Sequence, residues 1–358
     1  MALRLWGGVL AVGAALALGG AARAERFDFV AIGDTAYNPS VDYPVYEALI
    51  ARINKARPAF TIHVGDTWGA LPCTEAQHRS ILDWFAKYDH PVVYTPGDNE
   101  WADCRKADVL EAYSRYVAKK ATPADLALLT PLRGLDAGMT SAGYDDPIGS
   151  LALIRKVFFA KPQSVGGKTM TLVRQPDVST FKDTAENTRW EKGGVVFATI
   201  SVPGSGNGFL IQNEARAAEA IARNRANVDW IKATFAEAKA VKAKAVVISL
   251  QASLFVDGHG DEFSGKELRG GNEGPYYFVA LAIRDLAEQF GKPVLVVNGD
   301  FHDFLVDRPF MISQGEAKAP RYANITRLQV YGAPELKAVK VGVDTDTPWV
   351  FSFEPLYN

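Results

Sequence analysis

Cysteine is nearly absent from this chain: Cys73 and Cys104 are the only two in 358 residues, which leaves room for one disulfide and no more. Basic runs are absent as well, and a formal net charge of -2 excludes a nucleic-acid surface built on phosphate contacts. No Gly-x-Ser-x-Gly elbow occurs where a serine hydrolase of α/β type needs one. Neither internal repeats nor low-complexity tracts interrupt the chain after its N-terminus. What remains is an ordinary globular composition, 48% hydrophobic and 22% charged, large enough for one big domain or two small ones.

The long uncharged stretch is N-terminal. Arg4 precedes the apolar run Leu5 to Leu18, and Ala22-Arg23-Ala24 places small residues where a signal peptidase reads them. Cleavage is expected after Ala24, so that residues 1–24 are a signal peptide, 25–358 form the mature domain, and the protein is periplasmic or secreted with no stable membrane anchor. An uncleaved anchor from Leu5 to Ala22 is the competing reading; the many Ala and Gly in that stretch argue against it. No cysteine near the cleavage site offers a lipid attachment point. In an exported protein, Cys73 and Cys104, seven and six residues after Asp66 and Asp98, suggest a disulfide that braces two loops, with two free thiols as the alternative.

Periodicity sets the class. Phe27 to Ile32 alternates as a strand, and Pro44 to Ala56 has helical spacing. Strands at Phe60 to Val64 and Pro91 to Tyr94, with helices at Thr74 to Lys87 and Val109 to Val117, extend this to βαβαβα, which favours parallel pairing. From 118 to 183 the pattern loosens into an irregular insertion. Strands follow at Gly194 to Ile200, Ala245 to Leu250 and Pro293 to Val297, with helices from Glu214 to about Lys239 and from about Tyr277 to Phe290. The C-terminus, from Arg327 to Phe353, is β-rich.

Four strands end in the same way: Gly33-Asp34, Gly65-Asp66, Gly97-Asp98-Asn99-Glu100 and Gly299-Asp300. Glycine lets the backbone leave a strand through conformations a Cβ forbids, so each following aspartate can point off the sheet edge. Four such endings fit an α/β sheet whose carboxyl edge gathers ligand-binding loops.

The ordered series Asp34, Gly65-Asp66, Gly97-Asp98-Asn99-Glu100, Gln251 after a strand, and Gly299-Asp300-Phe301-His302 resembles the calcineurin-like metallophosphoesterases, relatives of purple acid phosphatases. The resemblance covers nearly all of the mature chain. It implies an α/β fold of two packed sheets flanked by helices, an αββα sandwich, and two divalent metal ions. It makes Asp34 a ligand of one metal, Asp66 the bridging ligand, Asp98 the counterpart of the motif's Asn, and His302 the last ligand. The implied function is hydrolysis of a small-molecule phosphate ester by metal-activated water.

Several positions depart from the family pattern. Ala36, Asn99, Gln251 and Asp300 stand where histidines are usual. Aspartates crowded at one edge repel one another, so either some are protonated or cations hold them. With Gln251 and Asp300 in the ligand set, hard oxygen donors favour Mg, Mn or Ca over Zn or Fe. Asn99 orients the ester but supplies no proton, so esters with good leaving groups need it least. His259, in the Gly-rich stretch 257–274, is the candidate substitute acid. Arg189 and Arg269 are candidate phosphate clamps, and Asn207 of the Gly-Ser-Gly-Asn-Gly stretch at 204–208 is a further substrate-binding candidate. A binding protein on the same fold, with a structural cation and little or no catalysis, is the alternative. His63, inside a strand, reads as core; His78 and His90 read as surface.

Overall fold

A computed structural model describes residues 26–69, 72–104, 107–129, 146–210, 213–255, 274–310 and 321–357. The chain begins β1 (Phe27–Ile32), α1 (Pro39–Ala56), β2 (Thr61–His63), α2 (Glu75–Phe85), β3 (Val92–Tyr94). Helices α3 (Ala107–Val117), α4 (Pro123–Leu129) and α5 (Pro147–Phe158) follow, then β4 (Val173–Arg174), the short α6 (Gln175–Val178), β5 (Thr188–Lys192) and β6 (Val195–Thr199). A single turn α7 (Gly204–Asn207) precedes α8 (Glu214–Ala240), β7 (Ala245–Ser249), α9 (Tyr277–Phe290) and β8 (Val294–Asn298). The order ends with β9 (Leu305–Asp307), β10 (Ile325–Gln329), β11 (Ala338–Asp344) and β12 (Val350–Leu356).

Two sheets result, in the orders β12-β11-β1-β2-β3 and β4-β5-β6-β7-β8-β10-β9. They pack face to face: Phe29, Phe60 and Ile62 of the first meet Phe197, Val247 and Leu295 of the second in one buried layer. Helices α1, α2 and α5 cover the outer face of the first sheet, and α8 and α9 that of the second. This is the αββα sandwich the sequence implied. Strands β7 and β8 read as unbroken apolar runs because both faces are buried.

The parallel sets decide where the site forms. Strands β1, β2 and β3 are parallel, as are β6, β7, β8 and β10. All seven therefore deliver their C-terminal loops in two rows, and cross-sheet bonds join the rows: Asp300 N–H donates to Asp34 Oδ1 at 3.0 Å and Ala333 N–H to Asp34 O at 2.7 Å.

Helix α1 starts five residues before the expected Pro44, because Asn38 caps it by accepting from Ser40 N–H and Pro39 suits the first turn. Within 118–183 the structure places α4, α5, β4 and α6; α5 buries Leu151, Ile154 and Phe158 behind the Asp146 cap, whose carboxylate accepts from Gly149 N–H. Strand β5 escaped the period-2 reading since its Thr-Arg-Trp-Glu-Lys sequence offers only Trp190 as a large apolar residue. Histidines 78 and 90 are not on the surface. His78 is wholly buried against Trp68 and Phe158, and His90 is bonded to Thr61 Oγ1 at 2.8 Å. His63 is core, as expected, with Gly65 N–H donating to its Nδ1. Burial lowers His63 to about 3 and His78 and His90 to about 4, so all three are neutral.

Cys73 and Cys104 form a disulfide across a 31-residue separation and tie the loops after β2 and β3. Replacing both by serine is expected to lower stability by about 2–3 kcal/mol, through the entropy returned to the unfolded chain; a urea midpoint unchanged from the parent would contradict this. Among the described residues no helix is long and apolar enough to cross a membrane.

Candidate metal and phosphoester site

The loops after β1, β2, β3 and β8 bring Asp34, Asp66, Asp98 and Asp300 together. Asp34, Asp66 and Asp300 have φ of 50°, 52° and 79°, and His302 has 65°. Non-glycine residues in this region cost of order 1–3 kcal/mol each and persist where the surroundings impose them, commonly at functional sites.

Each carboxylate has its own partners. Asp66 Oδ1 accepts from Asn99 N–H (3.1 Å), while Oδ2 accepts from Asn99 Nδ2 (2.9 Å) and from the Tyr37 hydroxyl (2.9 Å). Ser205 Oγ lies 2.7 Å from both Asp98 Oδ2 and Asp103 Oδ2. One hydroxyl has one hydrogen to give, so two good bonds there require a proton on one carboxyl. The other oxygen, Asp98 Oδ1, is buried with no hydrogen-bond partner. Asp300 Oδ2 accepts from Ser253 N–H at 3.3 Å.

Glu100 organises the two loops beneath. Its carboxylate accepts from the N–H groups of Asp66 (3.1 Å) and Gly97 (2.7 Å) and from the N–H and hydroxyl of Thr67. Gln251 is fully buried beside Asp34, and its Oε1 accepts from Gly204 N–H. His302 Nδ1 lies 2.6 Å from the Ala333 carbonyl, which can only accept. That places a proton on Nδ1, and Nε2 lies 3.8 Å from Asp34 Oδ1 and 3.2 Å from the Tyr37 oxygen.

Burial comes first in raising the Asp34, Asp66 and Asp98 carboxyls well above their ordinary value. Their mutual charges add to it: Asp300 acts on Asp34, Asp98 on Asp66, and Asp103 on Asp98. Tyr37 is raised by burial and by the charge of Asp66, so its phenol keeps its proton. Among the described residues no lysine or arginine pairs with Asp34, Asp66 or Asp98.

Do these residues suit a divalent cation? Among the described residues no three His, Cys, Asp or Glu side chains stand as a ready ligand set for one ion. Tyr37 is interposed between Asp66 and His302, and Asp34 is turned onto the Asp300 N–H. The donor chemistry does suit one: hard carboxylate oxygens in excess, an orphaned Asp98 Oδ1, and an imidazole whose Nδ1 is held by a carbonyl so that Nε2 faces the carboxylates. The backbone also leaves room. A Cβ on Gly204 would lie 2.5 Å from Asp300 Oδ1 and 2.8 Å from Asp98 Oδ1. Gly204→Ala is therefore expected to cost about 1–3 kcal/mol by overpacking and to weaken cation binding; a parent-like urea midpoint with parent-like binding would contradict it.

The loop 201–208 is clamped from behind. Ser205 (φ 45°), Gly206 and Asn207 (φ 59°) form a left-handed turn. Buried Arg223 of α8 holds it, donating to Ser201 O (2.9 Å) and to Asn207 Oδ1 and O (2.5 and 2.7 Å). The guanidinium lies over the Trp101 ring at 5.0 Å and pairs with Glu219 at 2.9 Å. Trp68 and Trp101 are fully buried, so both serve as packing beneath the loops.

The other expected residues separate. Asn207 turns inward, donating to Asn224 Oδ1 (2.8 Å) and Pro275 O (3.1 Å), and it is fully buried, so it offers a substrate nothing. Arg189 lies over the Trp230 ring at 4.7 Å and 3.7 Å from Glu237, in contact with α8 and not with the carboxylates. His259 and Arg269 lie outside the described residues. Reading the sequence missed Tyr37, Asp103, Ser205 and Arg223. Tyr37 carried a signal, as the one aromatic hydroxyl in the Asp34 loop; the other three join through contacts 102 or more residues apart (Ser205 with Asp98 and Asp103) or from a distant helix.

No protein-family model matches the sequence, and no curated protein does. Among solved structures the chain is similar to PhoD, at 8% identity and a TM-score of 0.47 over 90% of this chain and 65% of that one. It is also similar to GAP50, the anchor in the inner membrane complex of Plasmodium (10%, TM-score 0.42, 93% and 89% covered). A dimetal phosphatase from Danio rerio gives 10% identity and a TM-score of 0.43, over 92% and 98%. At such identities these likenesses say nothing of substrate or activity.

Proposed function

We propose that this chain is an exported, metal-dependent phosphoesterase acting on a small phosphate ester. The observation that supports it most is the excess of buried carboxylate at one edge: Asp34, Asp66 and Asp98 are raised by burial and by one another, with no described lysine or arginine to offset them. Asp34, Asp66, Asp98, Asp300 and His302 would hold divalent cations, with Gln251 beside them. When bound, such ions supply positive charge that polarises a phosphoryl oxygen and makes water a nucleophile at neutral pH. The chain's residues do the rest. Glu100 sets the two aspartate loops in register, Ser205 and Asn99 orient Asp98 and Asp66, and Ala333 O holds His302 in its Nδ1–H form. Tyr37 keeps its proton at the centre of the cluster and donates it to Asp66 Oδ2.

A second reading is favoured by two contacts on one carboxylate: Tyr37 and Asn99 both bond Asp66, which suits a site that holds a structural cation and does little chemistry. Calorimetric titration of Mg, Mn, Ca and Zn into the chelator-treated chain tests what both share. Saturable binding that weakens in Asp66→Asn is expected; no binding of any of the four would sink both.

A further inference from the structure

A cleft of about 820 Å³ opens between α8 and the start of α9. Its apolar walls are Phe181, Phe209, Ile221, Val228, Pro275 and Phe278. Two of these are wet: Ile221 is 48% exposed and Phe278 67%. Water against such side chains is unfavourable, and an apolar group laid over them recovers that free energy. The volume and the mostly apolar lining suit a small organic ligand.

The polar groups say which kind. Arg225 and Lys232, seven residues apart on α8 and so on one side of it, also line the cleft. Among the described residues neither makes an ion pair. Asp229, between them, is approached by Gln175 Nε2 at 3.4 Å. Arg225 and Lys232, with Asp229 between them, leave the apolar hollow one positive charge in excess.

We propose that the cleft binds a single-chain anionic amphiphile, its alkyl or aryl body against Phe209, Ile221 and Phe278 and its anionic group drawn to the exposed Arg225 and Lys232 side chains, whose charge outweighs that of Asp229. The turn 204–208 connects the cleft to the carboxylate site. Asn224, which lines it, accepts from Asn207 Nδ2 at 2.8 Å and donates to Pro275 O at 2.9 Å, and Phe209 follows the turn that carries Ser205. Binding here does not depend on phosphoesterase activity.

The test is a fluorescence titration of the full chain with 8-anilinonaphthalene-1-sulfonate, followed by displacement with dodecyl phosphate and, separately, with dodecanol. One saturable site is expected, with dodecyl phosphate the stronger competitor. Phe278→Ser should weaken dodecyl phosphate about tenfold, as loss of one buried aromatic does. The pair Arg225→Glu and Lys232→Glu should weaken dodecyl phosphate by at least as much and leave dodecanol unchanged. All three positions are exposed, so the variants should melt as the parent does. Non-saturable uptake by the parent, or parent-like affinity in both variants, would overturn the proposal.

Discussion

Asp66→Asn is expected to lower metal-dependent turnover of an aryl phosphate by about 10³-fold, since a bound cation contributes several kcal/mol to a phosphoryl transition state and each 1.36 kcal/mol is tenfold. The substitution is nearly isosteric. The amide oxygen can stand in for Oδ2 and still accept from Asn99 Nδ2 and the Tyr37 hydroxyl, while Asn99 N–H loses its acceptor; removal of a buried charge offsets that one lost bond, so the fold should survive. What disappears is the charge that faces Asp34 and Asp98. Steady-state kinetics with added Mn or Mg, beside a thermal melt, read the two effects apart. An enzyme loses kcat with its melting temperature kept or raised. Undiminished turnover in the variant would remove Asp66 from the mechanism.

The second large effect is on stability against pH, and its sign is unusual for acidic groups. Asp34, Asp66 and Asp98 have folded values raised above those of the unfolded chain. At low pH they are protonated in both states and cost nothing. As pH rises past the unfolded value near 3.9, the unfolded chain releases protons that the folded chain keeps, so stability falls until pH passes the folded values. The buried histidines act in the opposite sense: His63, His78 and His90, at about 3, 4 and 4, add stability as pH rises from those values to about 6.5. Above about pH 6.5 they are neutral in both states and their slope vanishes.

Chelator-treated protein should therefore lose stability to these carboxyls as pH rises from the unfolded value near 3.9, with the histidines offsetting part of that loss up to about pH 6.5. Each unit of raised carboxyl value is worth about 1.4 kcal/mol, and Glu100, which burial also raises, contributes beside the three aspartates. Divalent cation should abolish the loss, and Asp66→Asn should reduce it without any metal. Urea midpoints measured from pH 4 to 9 decide this. An Asp66→Asn midpoint that varies with pH just as the parent's does would mean that the Asp66 carboxylate is not a strained element of the fold.

Much of this site could be read from the sequence because its logic is local. A strand that stops at Gly-Asp announces itself through period-2 apolarity and turn chemistry within about eight residues, and four such endings imply a shared edge. Glu100 stands in the quoted Gly97-Asp98-Asn99-Glu100 run, but its role as the anchor of two loops depends on reaching Thr67 across 33 residues. Ser205 and Arg223 were hidden for the same reason: their partners come from another sheet and another helix. Asn207 looked like a loop residue open to substrate and instead points into the clamp. His78 was legible in principle, since it shares the buried helical face of Ile81 and Phe85 at i, i+3 and i+7; its polarity misdirected the reading. Arg189 shows the converse, a charge in a strand that lies against Trp230 and Glu237 of α8 and away from the aspartate loops.

Hydrolysis of a generic aryl phosphate monoester and diester by the full chain is the most direct trial of the account. It is run after chelation and again with Mg, Mn, Ca or Zn restored. The account predicts turnover that appears only with a cation, is strongest with the oxygen-preferring ions, and is lost in Asp66→Asn. Folded protein that binds cations and hydrolyses neither ester with any of them would contradict it.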